Sequence, residues 1–439
     1  MGELACLRHR GASVRSPLKL EDERLSALGY TDELTYAPDL PIGRASMTWI
    51  RNRPEGLVYR DAEKSHDGLT LFCSVTGKHA TLLNPEGEVV HRWHNSEGIQ
   101  HAHMLENGHL LIQTGPFRHA EGRQNMGGNS GAMMELDWDS NVVWAYRNPA
   151  QHHAYERLEN GHHLVLGWYP VPLDIVSKVQ GGYEDPKADT DNPIMWGDVI
   201  LEVNPSGREI KRWNSWEHFD TSLDVICPLE NRKEWAHANA LSTTPNGDWL
   251  VSFRNTSQVM LIDPESGDIK WRFGDATKDF PLALNHQHAA TWLDNGNILI
   301  FDNGCHRQGP SFSRVVEINP ETNKAEWSYQ ADVILAFHSF MCSGASRLPN
   351  GNTLITESAT ARLFEVTPEG ETVWEWVSPF FFQSRFGRTP FVFRAYRYEL
   401  DDPRFDGRVL DPSLHREVNQ RIKDGDVPEN YHGPGNERR

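Results

Sequence analysis

The apolar positions of this chain fall into short runs that return in a fixed relation to turn residues. One phrase is an apolar residue, one or two polar residues, Asn-Gly, then an apolar run. It occurs at Leu105 to Ile112, Leu158 to Leu166, Thr244 to Ser252, Leu293 to Phe301 and Leu348 to Thr356. Asn-Gly between apolar runs predicts a tight turn joining two adjacent strands, here of type I′. A second phrase follows each time: an apolar pair, Pro-x-Gly or a near relative, then a strand ending in Trp. Its copies run Leu82 to Trp93, Glu135 to Tyr146, Glu202 to Trp213, Leu261 to Trp271, Glu317 to Trp327 and Glu365 to Trp376.

Those six copies recur at steps of 48 to 66 residues. Two hairpins per step, repeated radially, predict an all-β fold, a six-bladed β-propeller. The expected organisation is an N-terminal extension over residues 1–59, the propeller over 60–385 and a C-terminal extension over 386–439. The first blade lacks its Asn-Gly phrase and is expected to be completed from elsewhere in the chain. The apolar phrases Pro379 to Gln383 and Phe391 to Tyr398 suit packing under the propeller, its closure, or a homo-oligomer contact. The repeated Trp residues are read as blade packing.

Strand alternation places both tight turns of each unit at one end of the propeller. The segments before the first strands then share the opposite end. Histidines gather there: His101 and His103, His152 and His153, His237, His286 and His288, and His338 each precede an Asn-Gly phrase. A propeller repeat has no structural need for imidazole at that position, so the set reads as a functional site. His91, His94, His109, His162 and His163 follow no such pattern and read as surface or strand residues. The long connections Gly115 to Gly131, Trp168 to Gly197 and Asn303 to Ser313 belong to the same mouth, the second being a candidate lid.

Composition narrows the partners. The chain has 439 residues and a formal net charge of −18, which opposes nucleic acid and anionic membrane surfaces. The five cysteines are scattered and form no C-x-x-C pair, which fits a reducing compartment, the cytoplasm, and argues against a thiolate zinc site. No segment has the length of apolar sequence that a signal peptide or spanning helix needs.

The stretch Trp235 to Gly274, followed by Asn285 to Gly304, resembles the arylsulfotransferase family, the PQQ-independent arylsulfate sulfotransferases. The shared phrases are H-x-N before a strand, S-x-R after it, Q-H-x-A, F-D-N-G, and Ser313-Arg314 ahead of a V-E strand. The resemblance spans about residues 60 to 380. It implies sulfuryl transfer from an aryl sulfate to a phenol through a sulfohistidine, with no cofactor and a small aromatic substrate. By the same resemblance His288 is the nucleophile, His237 and Arg254 hold the sulfuryl oxygens, and His153 is the remaining site histidine. His338, His103, Asn239, Asp302 and Asn303 are expected on the substrate. Imidazole is nucleophilic when neutral, and Arg and protonated His stabilise the charge that spreads over a transferring sulfuryl group.

A second reading is a metal enzyme. His103 (or His101), His153, His237, His288 and His338 would hold Fe, Zn or Mn on the propeller axis. Asn239, Asp302 and Asn303 would add oxygen ligands. An open coordination position would then serve an oxygenase, lyase or hydrolase reaction. Arg254 separates the two readings, because a cation aimed at the centre favours an anion and opposes a dication. A third reading, a non-enzymatic protein-binding propeller, leaves the gathered imidazoles unexplained.

Overall fold

In the computed structural model, residues 54–75, 77–115, 126–184, 194–384 and 387–432 are described. They form six antiparallel four-stranded blades, written here from the inner strand outward by their innermost and outermost members. The second blade runs from His101–Met104 to Val142–Arg147, and the third from Gln151–Arg157 to Glu209–Asn214. The fourth runs from Ala238–Thr243 to Ile269–Phe273, the fifth from His288–Trp292 to Lys324–Tyr329. The sixth runs from Gly344–Arg347 to Thr372–Val377 and carries Gly56–Arg60 as a fifth, outermost strand.

The first blade joins the two ends of the described chain. Its inner strand is Val392–Tyr398, paired antiparallel with Leu69–Ser74. His79–Leu83 and Val89–His94 complete it. The missing hairpin partner is therefore supplied by the segment read as a C-terminal extension. The adjoining helix Arg416–Asp424 sets Val418 and Ile422 into the apolar layer between the sixth and first blades. Phe380, Phe382 and Tyr431 share that layer. Asn419 clamps Val89, accepting from its N–H at 2.8 Å and donating to its carbonyl at 3.0 Å.

Six apolar layers, one between each pair of neighbouring blades, take the place of a single central core. This explains the burial pattern. A middle strand is covered on both faces, so Leu110–Gln113, Trp249–Phe253 and Ile298–Asp302 are buried throughout. An outer strand such as Val142–Arg147 alternates between half-buried and exposed.

The repeated motifs act as fasteners between blades. The indole of Trp144 donates to Pro205 O at 2.7 Å, Trp327 to Pro368 O at 2.7 Å and Trp374 to Pro85 O at 3.0 Å. Trp213 reaches Gly267 O at 3.0 Å, and Trp271 reaches Asn323 Oδ1 at 2.9 Å. Each outer strand thus hydrogen-bonds the Pro-containing turn, or its equivalent, of the next blade. Between the first and second blades His91 Nε2 takes this place, 3.0 Å from Trp138 O and stacked on that indole.

The Asn-Gly turns differ from expectation in type. Gly108, Gly161, Gly247, Gly296 and Gly351 have positive φ, whereas the preceding asparagines do not. The asparagine side chain instead accepts from the backbone N–H two residues on, as Asn107 does from His109 at 3.0 Å. This makes a type I turn closed by a left-handed glycine, not type I′. The residue after Gly then reaches a glutamate on the third strand: His109 to Glu135, His162 to Glu202, Asn297 to Glu317 and Asn352 to Glu365. His109 and His162 are accounted for by this contact.

A chain truncated after Pro390 lacks the inner strand of the first blade and exposes the edge of Leu69–Ser74. It is expected to aggregate and to show no cooperative unfolding transition by circular dichroism. A folded, cooperative truncation product would contradict the closure.

Candidate functional site

His153, His237 and His288 stand at the start of the inner strands of three successive blades. The backbone there is not regular. Register shifts interrupt the ladders between Ala238 and Ala240, between His288 and Thr291, and between Val165 and Gly167 on the strand facing His153. His153, His237 and Ala289 have φ of +44°, +56° and +53°. Such bulges turn a side chain out of the blade plane, here toward the axis, at a conformational cost that the surrounding blades must carry.

The three imidazoles and Arg254 line one cavity of about 280 Å³. All six blades contribute to it, with Phe393 from the first, Gln100 and Gly128 from the second and Cys342 ahead of the sixth. The His153 and His237 rings lie 4.6 Å apart, near perpendicular.

Each imidazole is held from behind. The Asn303 amide donates to Ser339 O at 2.7 Å and Cys342 O at 3.1 Å, so its Oδ1 is left as an acceptor for His288 Nδ1 at 2.8 Å. His288 therefore carries its proton on Nδ1 and keeps a lone pair on Nε2. Glu234 accepts from His237 Nδ1 and sets that ring in the same sense. His153 Nδ1 is 3.0 Å from Nδ1 of the fully buried His152, whose Nε2 is 3.4 Å from Asp198 Oδ1. Asp198 also accepts from Ala238 N at 2.8 Å, tying this relay to the bulge at His237.

Charge and burial set the protonation states. Burial, followed by the nearby Arg254 guanidinium, holds His288 well below the usual imidazole range. Burial, followed by His237, does the same for His153. Both are neutral at pH 7. Burial raises Asp198 to about 7. Arg254 is not a bare cation: its Nη1 donates to Glu230 Oε1 at 2.7 Å.

The other sequence-derived candidates fall elsewhere. Asn303 positions His288. Asn239 donates to Gln287 O at 2.8 Å, inside the framework. Asp302 is fully buried and binds Arg314 Nε and Arg307 Nη2, both at 2.8 Å, and Asn285 N at 2.8 Å. Asp302 and Asn303 are framework residues because their polar atoms are committed to protein partners; the Asn239 amide nitrogen is committed in the same way, whereas its buried Oδ1 has no partner. His103 stacks on Tyr155 at 5.3 Å, and His338 is fixed through its backbone N–H to Glu357. Neither lines the cavity, so the five imidazoles expected around a metal do not converge. His103 is half-buried and lies beside His101 against Tyr155 and Tyr396, the latter on the closing strand. Of the long connections, residues 116–125 and 185–193, including much of the candidate lid, lie outside the described residues.

The model of the arylsulfotransferase (ASST) family matches residues 57–380. The chain belongs to that family. Among curated proteins no relative matches at a significant level. Three solved structures are similar to the chain at a lower level. A Bacteroides caccae protein of unknown function is 17% identical with a TM-score of 0.48, over 76% of this chain and 99% of that one. A virginiamycin B lyase from Staphylococcus aureus is 11% identical at TM-score 0.37, over 64% and 71%. The Dos1 propeller is 9% identical at TM-score 0.36, over 74% of each. No helix among the described residues is long and apolar enough to cross a membrane.

Two cavity residues of this arylsulfotransferase-family chain, Glu230 and Glu234, and the nearby Arg394, which does not line the cavity, carry no repeat signal. Glu230 and Glu234 come from the connection ahead of the fourth blade. Arg394 sits on the closing strand, donates to Asn239 O at 2.8 Å, and its charge lowers His153 and His288 further. The phrase Phe391 to Tyr398 could have flagged it, since an arginine amid aromatics is unusual for a simple packing strand.

Two predictions follow from packing and burial. A Cβ on Gly128 would lie 2.1 Å from the His153 ring, so Gly128→Ala should displace His153 and alter the cavity without unfolding the blades. A shifted His153 NMR signal with unchanged far-UV circular dichroism would verify it. The second concerns acid. Burial lowers His103, His91 and His163 to about 4 and His286 to about 2. The unfolded chain protonates these near 6.5 while the folded chain does not. Stability is therefore full above about pH 6.5 and falls below it, by up to about 1.4 kcal/mol per pH unit for each such histidine. Calorimetric midpoints should drop steadily from pH 7 to pH 5.

Proposed function

We propose that this protein moves a sulfuryl group from an aryl sulfate to a phenolic acceptor through a sulfohistidine on His288. What supports this reading is that the four residues carried over from the family's phrases, His153, His237, Arg254 and His288, line one cavity. That cavity, about 280 Å³, lies just below the roughly 300–1,000 Å³ of ligand pockets, a size for a single aromatic ring and its sulfate.

In the first half-reaction His288 Nε2, unprotonated and aimed by Asn303, attacks sulfur. An N–S bond forms, the S–O bond to the aryl group breaks, and the phenolate leaves with the electron pair. His237, backed by Glu234, gives the phenolate a proton, which is needed because a phenol holds its proton up to about pH 10. In the second half-reaction His237 takes the proton of the acceptor phenol. The acceptor oxygen attacks sulfur, the N–S bond breaks, and His288 is restored. Arg254 and His153 face the sulfuryl oxygens, where negative charge accumulates. Glu230 balances Arg254 while the cavity is free of anion and fixes its direction.

The assay is p-nitrophenyl sulfate with phenol as acceptor, read as p-nitrophenol release. Quenched enzyme should gain the mass of one sulfuryl group on the peptide containing His288. His288→Ala is expected to abolish both signals. Arg254→Ala should lower kcat/KM about 100- to 1,000-fold. Asn303→Ala should lower kcat by up to about 100-fold with KM little changed, a split that loss of folded protein would not produce. No release and no adduct in the wild-type chain would overturn the proposal.

A further inference from the structure

Beside the cavity, three side chains from separate connections meet at the mouth of the propeller. Cys227 lies on the strand Ile226–Asn231 ahead of the fourth blade, His286 immediately ahead of the fifth, and His306 between the second and third strands of the fifth. Their ligand atoms all lie within 4.8 Å of one another, and no other such group of three occurs among the described residues. Cys227 Sγ is 3.4 Å from His306 Nδ1, which is 3.0 Å from His286 Nε2. The two rings are nearly perpendicular, with centroids 4.6 Å apart.

We propose that Cys227, His286 and His306 bind a divalent transition-metal ion, of the zinc class. Metal–nitrogen bonds of about 2.0–2.1 Å and metal–sulfur bonds of about 2.3 Å place tetrahedral ligands roughly 3.3–3.6 Å apart. The Cys227–His306 and His306–His286 spacings need shifts of only a few tenths of an ångström, and the Cys227 and His286 ligand atoms lie within 4.8 Å of each other. One thiolate with two imidazoles selects zinc, cobalt or copper over magnesium or calcium. Glu230 Oε1 lies 3.8 Å from His306 Nδ1, within reach of a fourth, oxygen ligand after a side-chain rotation.

Two further observations point the same way. His286 is 1% exposed, and its Nδ1 has no hydrogen-bond partner. Its nearest carboxylate oxygen, Glu230 Oε1, stands at 3.5 Å. With Nε2 turned to His306, this Nδ1 is left facing Glu230, the kind of carboxylate that backs a metal-bound histidine. His286 and His306 also both adopt left-handed backbone, at φ +58° and +59°. Two non-glycine residues in that region, converging on one thiol, indicate that the surroundings enforce the meeting. His306 keeps a side-chain exposure of 32%, so an ion can enter from solvent. Binding releases the Cys227 thiol proton to solvent, so affinity rises with pH.

The site uses neither His237 nor His288, and it stands whether or not the cavity transfers sulfuryl groups. It is tested with tag-free, chelator-stripped full-length protein titrated with Co²⁺. One equivalent should produce tetrahedral visible bands together with a thiolate-to-cobalt charge-transfer band in the near ultraviolet. Zn²⁺ should displace both. Cys227→Ser should erase the charge-transfer band while retaining weaker cobalt binding. His306→Ala should weaken binding at least about tenfold. Cys227 and His306 are partly exposed, so both variants should keep the wild-type far-UV spectrum, which is recorded alongside. Absence of a charge-transfer band in the wild type, or its persistence in Cys227→Ser, overturns the proposal.

Discussion

Closure of the ring is the constraint on which the rest of this molecule depends. A propeller blade cannot bury its own apolar faces; each is covered by the blades on either side. The six layers are therefore stable only if the last blade meets the first. Here the meeting is made by a strand from the far end of the sequence, Val392–Tyr398 beside Leu69–Ser74. The helix Arg416–Asp424 seals the same seam with Val418 and Ile422. The indole donors repeat the principle at smaller scale, since each ties an outer strand to the next blade. With the ring held shut, the mouths of the inner strands have fixed separations. Three bulged histidines from different blades can then hold one arrangement without direct covalent or metal restraint.

That rigidity decides the electrostatics of the cavity. An acidic protein of net charge −18 places two arginines, Arg254 and Arg394, near its axis. Burial and those cations keep His153 and His288 neutral. Two glutamates stand behind the cationic and proton-carrying groups, Glu230 on Arg254 and Glu234 on His237. A neutral imidazole, an oriented cation and a carboxylate-backed imidazole are the groups that the proposed transfer of an anionic group would use. Glu230 also borders the Cys227, His286 and His306 cluster, so one carboxylate joins the two chemical features of the mouth.

The parts of the site that were legible in the sequence are those that ride on the repeat. His153, His237 and His288 keep a constant place ahead of a recurring phrase, and a repeated position repeats in space. The same reasoning over-reached at His103 and His338. It assigned a place ahead of a repeated phrase but not what packs there: His103 sits against Tyr155 and Tyr396, and His338 lies in a connection outside any strand. Asp302, Asn303 and Asn239 were drawn to the site by sequence nearness, yet buried polar atoms are claimed first by the nearest unsatisfied partners. Cys227 was grouped with the scattered cysteines that argue against a thiolate zinc site, because metal-site reasoning from sequence relies on close spacing. The ring instead brings it to His306, 79 residues away.

By itself the sequence determined the number of blades, the turn positions and the recurrence of the tryptophans as blade packing. These are properties of local pattern, and each repeat carries them independently. Only the tertiary structure decided which strand closes the ring, which histidines face the cavity, and which carboxylates and arginines stand behind them. Those outcomes depend on bulges and on variable connections whose conformations are set by neighbouring blades. They are decided by packing between residues far apart in the chain, which no local pattern encodes.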